Sequence, residues 1–319
     1  MARYLLKRLL LAVVTLWILA TIVFVVVNVL PGNVGRQILG GFASEASVVK
    51  YNHDIGTDKP LLDQYGTAMK NLFTLDFGKS YSQKSTDVTT ILKKDLFRSA
   101  KLVIFALALT VPLGILAGRF AARRRDKLAD RAIVTIGLAT SSIPEFVTAA
   151  ILSYLFCLRW KIFPVFADPP TGTSVIGQLR YLFLPALAMV IVYFGYIARM
   201  TRAGVMNSLE ADYTRTATMK GLSASRVMNR HVMRNALAPT ITVIGVQIGY
   251  LFGGIVGVEK VFNYHGIGTE MLTAIKNHDI PVLQAAVLLI GIIYMLSTLA
   301  ADLLIAYLNP RVLMEVKRG

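Results

Sequence analysis

The sequence predicts an all-α integral membrane protein with six transmembrane helices, and three observations carry that prediction. Of its 319 residues 55% are hydrophobic and only 16% charged, and the mean hydropathy is +0.58, too apolar for a water-soluble domain. Six apolar runs, the first a charge-free stretch of 22 residues, read as membrane-crossing helices. The formal net charge of +16 sits in segments between those runs rather than over one packed face, so a basic composition does not here imply nucleic-acid binding.

The first run, Leu9 to Leu30, carries no charge and follows Arg3, Lys7 and Arg8. It ends in Val29-Leu30-Pro31-Gly32 and lacks the short apolar core and small-residue cleavage site of a signal peptide, so it is expected to be a retained first helix. Residues 31–101 are polar and turn-rich and are expected to form a small extracytoplasmic segment between helices one and two. The second run, Leu102 to Ala117, leads into Arg119, Arg123, Arg124, Arg125, Lys127 and Arg131, a strong cytoplasmic signal. The third, Ala132 to Leu158, is interrupted at Ser141-Ser142-Ile143-Pro144-Glu145-Phe146. There Pro144 removes a backbone donor, and Glu145 places an ionisable group at membrane depth, where it should face protein or water. A fourth run spans Tyr181 to Ala198, a fifth Ile241 to Val258 and a sixth Val282 to Leu304. The chain thus divides into residues 1–30, residues 31–101 and a five-helix part, 102–319, with a cytoplasmic loop at 199–239.

Two patterns within the spans suggest packing. Gly245, Gly249, Gly253 and Gly257 recur at every fourth residue, which drifts slowly round a helix and predicts one smooth seam, either within this chain or against a second subunit. Asp302, near the end of the last run, is expected to be a structural carboxylate at the interface.

Between the fourth and fifth runs lies a patterned basic insert, Glu210 to Thr242. Tyr213 and Ala217 share one side of a helix that Gly221 can stop by adopting the left-handed conformation. Ser223 can then cap a second helix carrying Arg226, Arg230 and Arg234 at successive i, i+4 positions, with Pro239 at the first turn of the next apolar run. From the residues alone, this arginine stripe can rest on anionic headgroups or present the corner to a partner.

Catalytic and metal-binding patterns are missing from the sequence. Gly78-Lys79-Ser80 mimics the end of a phosphate-binding loop, but Phe73 stands where that loop needs its first glycine. His53, His231, His265 and His278 form no HExxH motif and no Cys-His ligand cluster, and His231 is expected to be a packing residue of the loop. The single cysteine, Cys157, excludes an internal disulfide. Ser141 and Ser142 have no histidine near them in sequence to serve as a base.

The stretch Tyr213-Thr214-Arg215-Thr216-Ala217-Thr218-Met219-Lys220-Gly221-Leu222, with Arg230-His231 and Arg234-Asn235-Ala236-Leu237 after it, resembles the cytoplasmic "EAA" loop of ABC importer permeases of the oligopeptide, dipeptide and nickel subfamily. Ala217 and Gly221 match the generic loop, while Arg215 and Thr216 fill its other positions as in the peptide-type variant. Three phrases in the long polar segment resemble the same family in order: Leu30-Pro31-Gly32-Asn33, then Asp58-Lys59-Pro60-Leu61 with Gln64-Tyr65, then Leu75-Asp76-Phe77-Gly78 with Ser80. Val258 to Gly268 resembles a further family segment, with Tyr264-His265 where isoleucine and proline are usual, and Asn309 replaces a usual aspartate near the end.

The resemblance implies a type I ABC importer permease fold in the bacterial plasma membrane. It implies a complex of a second, homologous permease, two ATP-binding subunits that hold the ATP and Mg, and an extracytoplasmic substrate-binding protein, with membrane lipid around the spans and no cofactor on this chain. Arg215, Thr216, Ala217, Lys220, Gly221 and Leu222 would form the coupling loop to the ATPases, and Ser141, Glu145, Gln247 and Tyr250 are candidates to line the path. Peptides lead as substrate, with nickel chelates or another small solute as alternatives; a secondary transporter is the rival class, although no second broken helix matches the Pro144 interruption. The basic bias of the short loops places the N-terminus, Arg124, Gly221 and the C-terminus in the cytoplasm, with Ser85 and Asn277 outside.

Overall fold

The structure, a computed structural model, describes residues 2–29, 33–83, 86–170 and 172–308; for residues 2–7, 27–29 and 72–73 it describes the backbone path. Phrases resting on Leu30 to Gly32 and Asn309, and the topology expectations for Ser85 and the C-terminus, lie outside the described residues. Along the chain run α1 (Ala2–Val29), α2 (Val34–Leu39), α3 (Glu45–Ile55), α4 (Leu61–Thr74), α5 (Val88–Arg123), α6 (Leu128–Ser141) and α7 (Glu145–Leu152), the last prolonged by a π turn at Ser153–Arg159. They are followed by α8 (Val175–Glu210), α9 (Asp212–Met219), α10 (Ala224–Arg226), a second π turn (Val227–Val232), α11 (Met233–Val261), α12 (Ile267–Lys276) and α13 (Ile280–Leu308). Among the described residues five helical stretches are long and apolar enough to cross a membrane, and up to six if the pair α6–α7, bent by 98°, counts as one. The bend falls where Pro144 was expected to interrupt the third run: Pro144 stands immediately before α7 in extended conformation, and the π turn carries the chain on to Arg159.

The chain forms two compact units, one of Met1–Ser99 with His265–Ile293 and the other of Ala100–Tyr264 with Tyr294–Gly319. In the second unit α8 is the hub. Of the apolar window in α8, 67% of residues are buried, and its neighbours approach through glycines. Gly114 and Gly118 of α5 lie against Ile197, Ala198 and Thr201; Gly137 of α6 lies against Gly195; and Gly204 lies against the Ala236 carbonyl of α11. Such small-residue contacts bring backbones close enough for dispersion to hold helices whose surroundings are as apolar as their faces. Pro112, Pro185 and Pro239 all lie inside helices. Pro239 is therefore not at a first turn: α10, the π turn and α11 run on as one apolar stretch, Ala224–Val261, so the helix starts well before the proline.

Within this chain the glycine ladder does not form one seam. A Cβ on Gly245 would meet Ala301 at 2.5 Å and the Ser297 carbonyl at 3.1 Å, Gly249 lies under the Tyr294 ring, and Gly257 faces Phe146 at 2.7 Å. Gly253 is exposed and faces open space, while its neighbour Gly254 takes the tight position against Glu145. The drift of a four-residue step turns successive rungs to different helices, so the ladder packs on α13 at one end and on α7 at the other.

Besides α1, the first unit holds the short helices α2, α3, α4 and α12, of which α2 and α3 are capped by side chains. Asn33 caps α2 by accepting from the Arg36 N–H at 3.1 Å, Ser44 caps α3, and α4 packs on α1, where the Tyr65 and Thr21 hydroxyls meet at 2.9 Å. The segment after α4 is tied to the start of α13 by one buried carboxylate: Asp279 accepts from the Ser80 hydroxyl, from the Tyr81 and Ser82 N–H groups at 3.1 and 3.0 Å, and from the Ser82 hydroxyl at 2.7 Å. Ser80, the last residue of the phosphate-loop mimic, is thus part of a carboxylate cage.

Candidate functional site: the helix corner at Gly221

The chain turns sharply between α8 and α9 because Ala211 is extended (φ −74°, ψ 145°), and the Thr214 hydroxyl closes the turn on the Ser208 carbonyl at 2.7 Å. α9 then ends at Gly221, whose φ of +77° is the left-handed conformation expected from its place after a short helix. The Gly221 N–H reaches the Thr218 carbonyl at 2.9 Å and the Leu222 N–H reaches that of Ala217 at 3.4 Å, which satisfies two of the carbonyls left open at the helix end. No atom lies within 4 Å of a Cβ placed on Gly221, so the constraint there is backbone conformation and not space.

The six residues expected to form the loop divide into two roles. Ala217 and Leu222 turn inward and pack with Val205, Val227, Met228, Val232 and Ala236 in an apolar cluster that fixes the corner on α8 and α11. Arg215, Thr216, Lys220 and Gly221 are exposed, and Met219, 72% exposed, stands among them as an uncovered apolar side chain. The inward stripe of α9 is Thr214 and Ala217; Tyr213, expected to share a side with Ala217, is exposed because the three-residue step to Thr214 sets the buried face. Ser223 stands at the N-cap of α10 without a side-chain cap bond, and its carbonyl receives the Val227 N–H at 2.9 Å. Arg226, Arg230 and Arg234 are all exposed, but the intervening π turn breaks their i, i+4 register. His231 is half-buried there.

The candidate path residues are not one cluster. Glu145 accepts a hydrogen bond from the Tyr193 hydroxyl, which also lies 3.3 Å from the Tyr250 carbonyl, so α7, α8 and α11 meet at a single tyrosine. Gly254 makes room for that carboxylate: a Cβ there would sit 2.6 Å from its oxygen. Ser141 bonds its own helix at the Leu138 carbonyl, 2.9 Å away, and the Tyr250 side chain is exposed. Gln247 is buried, and its amide oxygen has no hydrogen-bond partner among the described residues.

Four residues of this region and of the first unit carry no motif in the sequence. Tyr193 gave no signal in a long apolar run. Asp130 and Arg202, far apart in sequence, form a two-pronged ion pair between α6 and α8, with Asp130 also accepting the Asp126 N–H at 2.9 Å. Asp279 stands in the sequence without a motif around it. Among the described residues no group of three or more His, Cys, Asp or Glu could hold a metal ion.

The model of a family described as "binding-protein-dependent transport system inner membrane component" matches residues 110–314, and one for the N-terminal part of such membrane components matches residues 1–112. A peptide transport system permease protein of Brucella abortus (strain 2308) is 34% identical over 98% of this chain and 99% of its own. A dipeptide transport system permease protein of Alkalihalophilus pseudofirmus is 32% identical and a glutathione transport system permease protein of Escherichia coli (strain K12) 33% identical, at the same coverage. A chain from the crystal structure of an amino acid ABC transporter with histidines aligns at a TM-score of 0.48 and 16% identity, over 70% of this chain and 94% of that one.

Proposed function

Because this chain belongs to the family of binding-protein-dependent transport system inner membrane components, we propose that it is the membrane-spanning subunit of an ATP-driven importer of peptides. The names of its relatives, peptide, dipeptide and glutathione permeases, support the substrate class. The observation that carries the mechanism is the corner itself: an exposed face of Arg215, Thr216, Met219 and Lys220, held on a short helix whose inner face is anchored in the apolar cluster on α8 and α11. A push on that face is delivered to two long helices at once, because Ala217 and Leu222 cannot move without Val205, Val232 and Ala236.

In this reading a second, related permease completes the path, and two ATPase subunits bind ATP and Mg and close beneath the α9 corner. An extracytoplasmic binding protein delivers the substrate, and the N-terminus, Arg124 and Gly221 face the cytoplasm. ATP-driven closure tilts α8 and α11 between outward-open and inward-open states, and the Glu145–Tyr193 contact, which joins α7 to both, sits where that tilt changes helix packing.

Reconstituted complexes carrying Gly221→Val, Gly221→Asn, Arg215→Glu or Arg230→Gln test it, with ATP hydrolysis and peptide uptake measured together. Valine at positive φ costs about 1–2 kcal/mol or more, whereas asparagine tolerates it. Gly221→Val and Arg215→Glu should lose stimulated hydrolysis and uptake together in a normally inserted protein, Gly221→Asn should retain most of both, and Arg230→Gln should be mild. Normal coupling in Gly221→Val would remove the corner from the mechanism.

A further inference from the structure

The first unit contains a cavity of about 560 Å³ that transport does not account for, a size common among small-ligand sites. Its floor is apolar, where Ala20 and Leu288 pack with Met69 and Phe77. Asn33, Asn52 and Lys59 belong to its polar part. Described residues of the three phrases of the long polar segment line it: Asn33 from the first, Lys59 and Gln64 from the second, Phe77 from the third.

Hydrogen bonds hold the walls in place. The Asn52 amide accepts from the Gly35 N–H at 2.9 Å and donates to Asn33 at 2.9 Å, and Gln64 donates to the Lys59 and Thr57 carbonyls at 2.8 and 3.2 Å. Tyr65 braces the α1 side, its ring edge-on to Phe24 with centroids 5.3 Å apart. The polar groups that shape the cavity are therefore committed. Others are not: the Lys59 ammonium and the side-chain amides of Asn71 and Gln284 line the cavity with no hydrogen bond or ion pair among the described residues. Lys59 is the sole charged residue among the described lining residues, and its sequence neighbour Asp58 is already 2.8 Å from the His53 ring nitrogen.

We propose that this cavity binds an anionic phospholipid, with an acyl chain over Ala20, Val23, Phe24 and Leu288 and the phosphate taken by Lys59. Charge selects an anion, because among the described lining residues the one ionic group is an ammonium that no carboxylate pairs at hydrogen-bond distance: Asp58 next to it is turned to His53 and acts on Lys59 only through space. The walls select a lipid over a soluble anion: Ala20, Val23 and Phe24 lie in the apolar span of α1, whose window is only 11% buried, and Leu288 lies within the span of α13.

The test uses the assembled transporter in nanodiscs of equal phosphatidylglycerol and phosphatidylcholine, transferred to mild detergent, with retained lipids counted by native mass spectrometry. The wild type should keep phosphatidylglycerol in preference to phosphatidylcholine. Lys59→Gln should cut that preference about fivefold, the effect of one basic side chain near a lipid phosphate. Ala68→Trp, which fills the cavity from α4, should lose both lipids, and Lys70→Gln, a cation on α4 that does not line the cavity, should change nothing. Equal retention of both lipids by the wild type overturns the proposal, as does a loss with Lys70→Gln as large as with Lys59→Gln. Displacement of phosphatidylglycerol by excess trileucine overturns it too, by showing a peptide site instead. Should Ala68→Trp fail to assemble, the two lysine variants decide.

Discussion

The two units hold their helices by different means. In the second, α8 meets α5, α6 and α11 chiefly at glycines, with the Asp130–Arg202 ion pair added between α6 and α8 and a Thr201–Thr240 hydroxyl contact between α8 and α11. In the first, short helices are fastened by polar groups: the Asn33 and Ser44 caps, the Asn52–Gly35 bond, and a carboxylate at Asp279 that receives four donors. Contacts of the first kind depend on volume and those of the second on satisfied hydrogen bonds. The two should therefore fail under different substitutions.

The largest effect is expected at Gly195. Its neighbour across the contact is the Gly137 backbone, which no rotamer change can move aside, so Gly195→Leu should cost more than about 3 kcal/mol and abolish folded yield in detergent. Recovery of normal protein would mean that the α6–α8 contact is looser than described. Next comes Asp279→Ala. Removing the carboxylate leaves the Tyr81 and Ser82 N–H groups without their acceptor, a loss of about 2–4 kcal/mol. Hydrogen exchange should rise in residues 78–83 while α8 stays protected; uniform exchange through both units would erase the distinction.

The glycine ladder sharpens the comparison within one helix. Gly245→Leu drives a side chain into Ala301 and the Ser297 carbonyl and should cost about 1–3 kcal/mol. Gly253→Leu points into open space and should change the thermal stability of the isolated chain by no more than about 0.5 kcal/mol. Equal losses would restore the single seam that the spacing suggested.

The smallest effect is one of pH. Burial, then the nearby charge of Asp279, pushes the Tyr81 phenol up to about 12 from an ordinary 10.0. The unfolded chain releases that proton first as pH rises, so stability present below pH 10.0 should drain away between 10.0 and about 12. Tyr81→Phe should flatten that part of the alkaline unfolding curve, and an unchanged slope would show that the phenol is not buried.

Hydropathy made the spans legible but not their neighbours. The α1 window is more apolar than that of α8, yet 11% of it is buried against 67%. In a bilayer the two quantities separate, because a face turned to lipid is as apolar as a face turned to protein. Gly221 was readable because positive φ after a short helix is a local demand. Pro144 marked the break for an equally local reason, although its 98° angle depends on packing. The partners Asp130 and Arg202, or Ser80 and Asp279, are brought together only by the tertiary fold and left no pattern along the chain. The arginine stripe and Pro239 were misplaced for one shared reason: the π turn joins two expected helices into one and shifts their register.

The α9 face is tested most directly by a photo-crosslinking residue placed at Met219, compared with one at Val175, which is 76% exposed at the opposite end of α8. In the active complex the account predicts an adduct between position 219 and an ATPase subunit, altered in yield by ATP, and none from position 175. An active transporter with no ATPase adduct at 219, or with equal adducts at both positions, would contradict it.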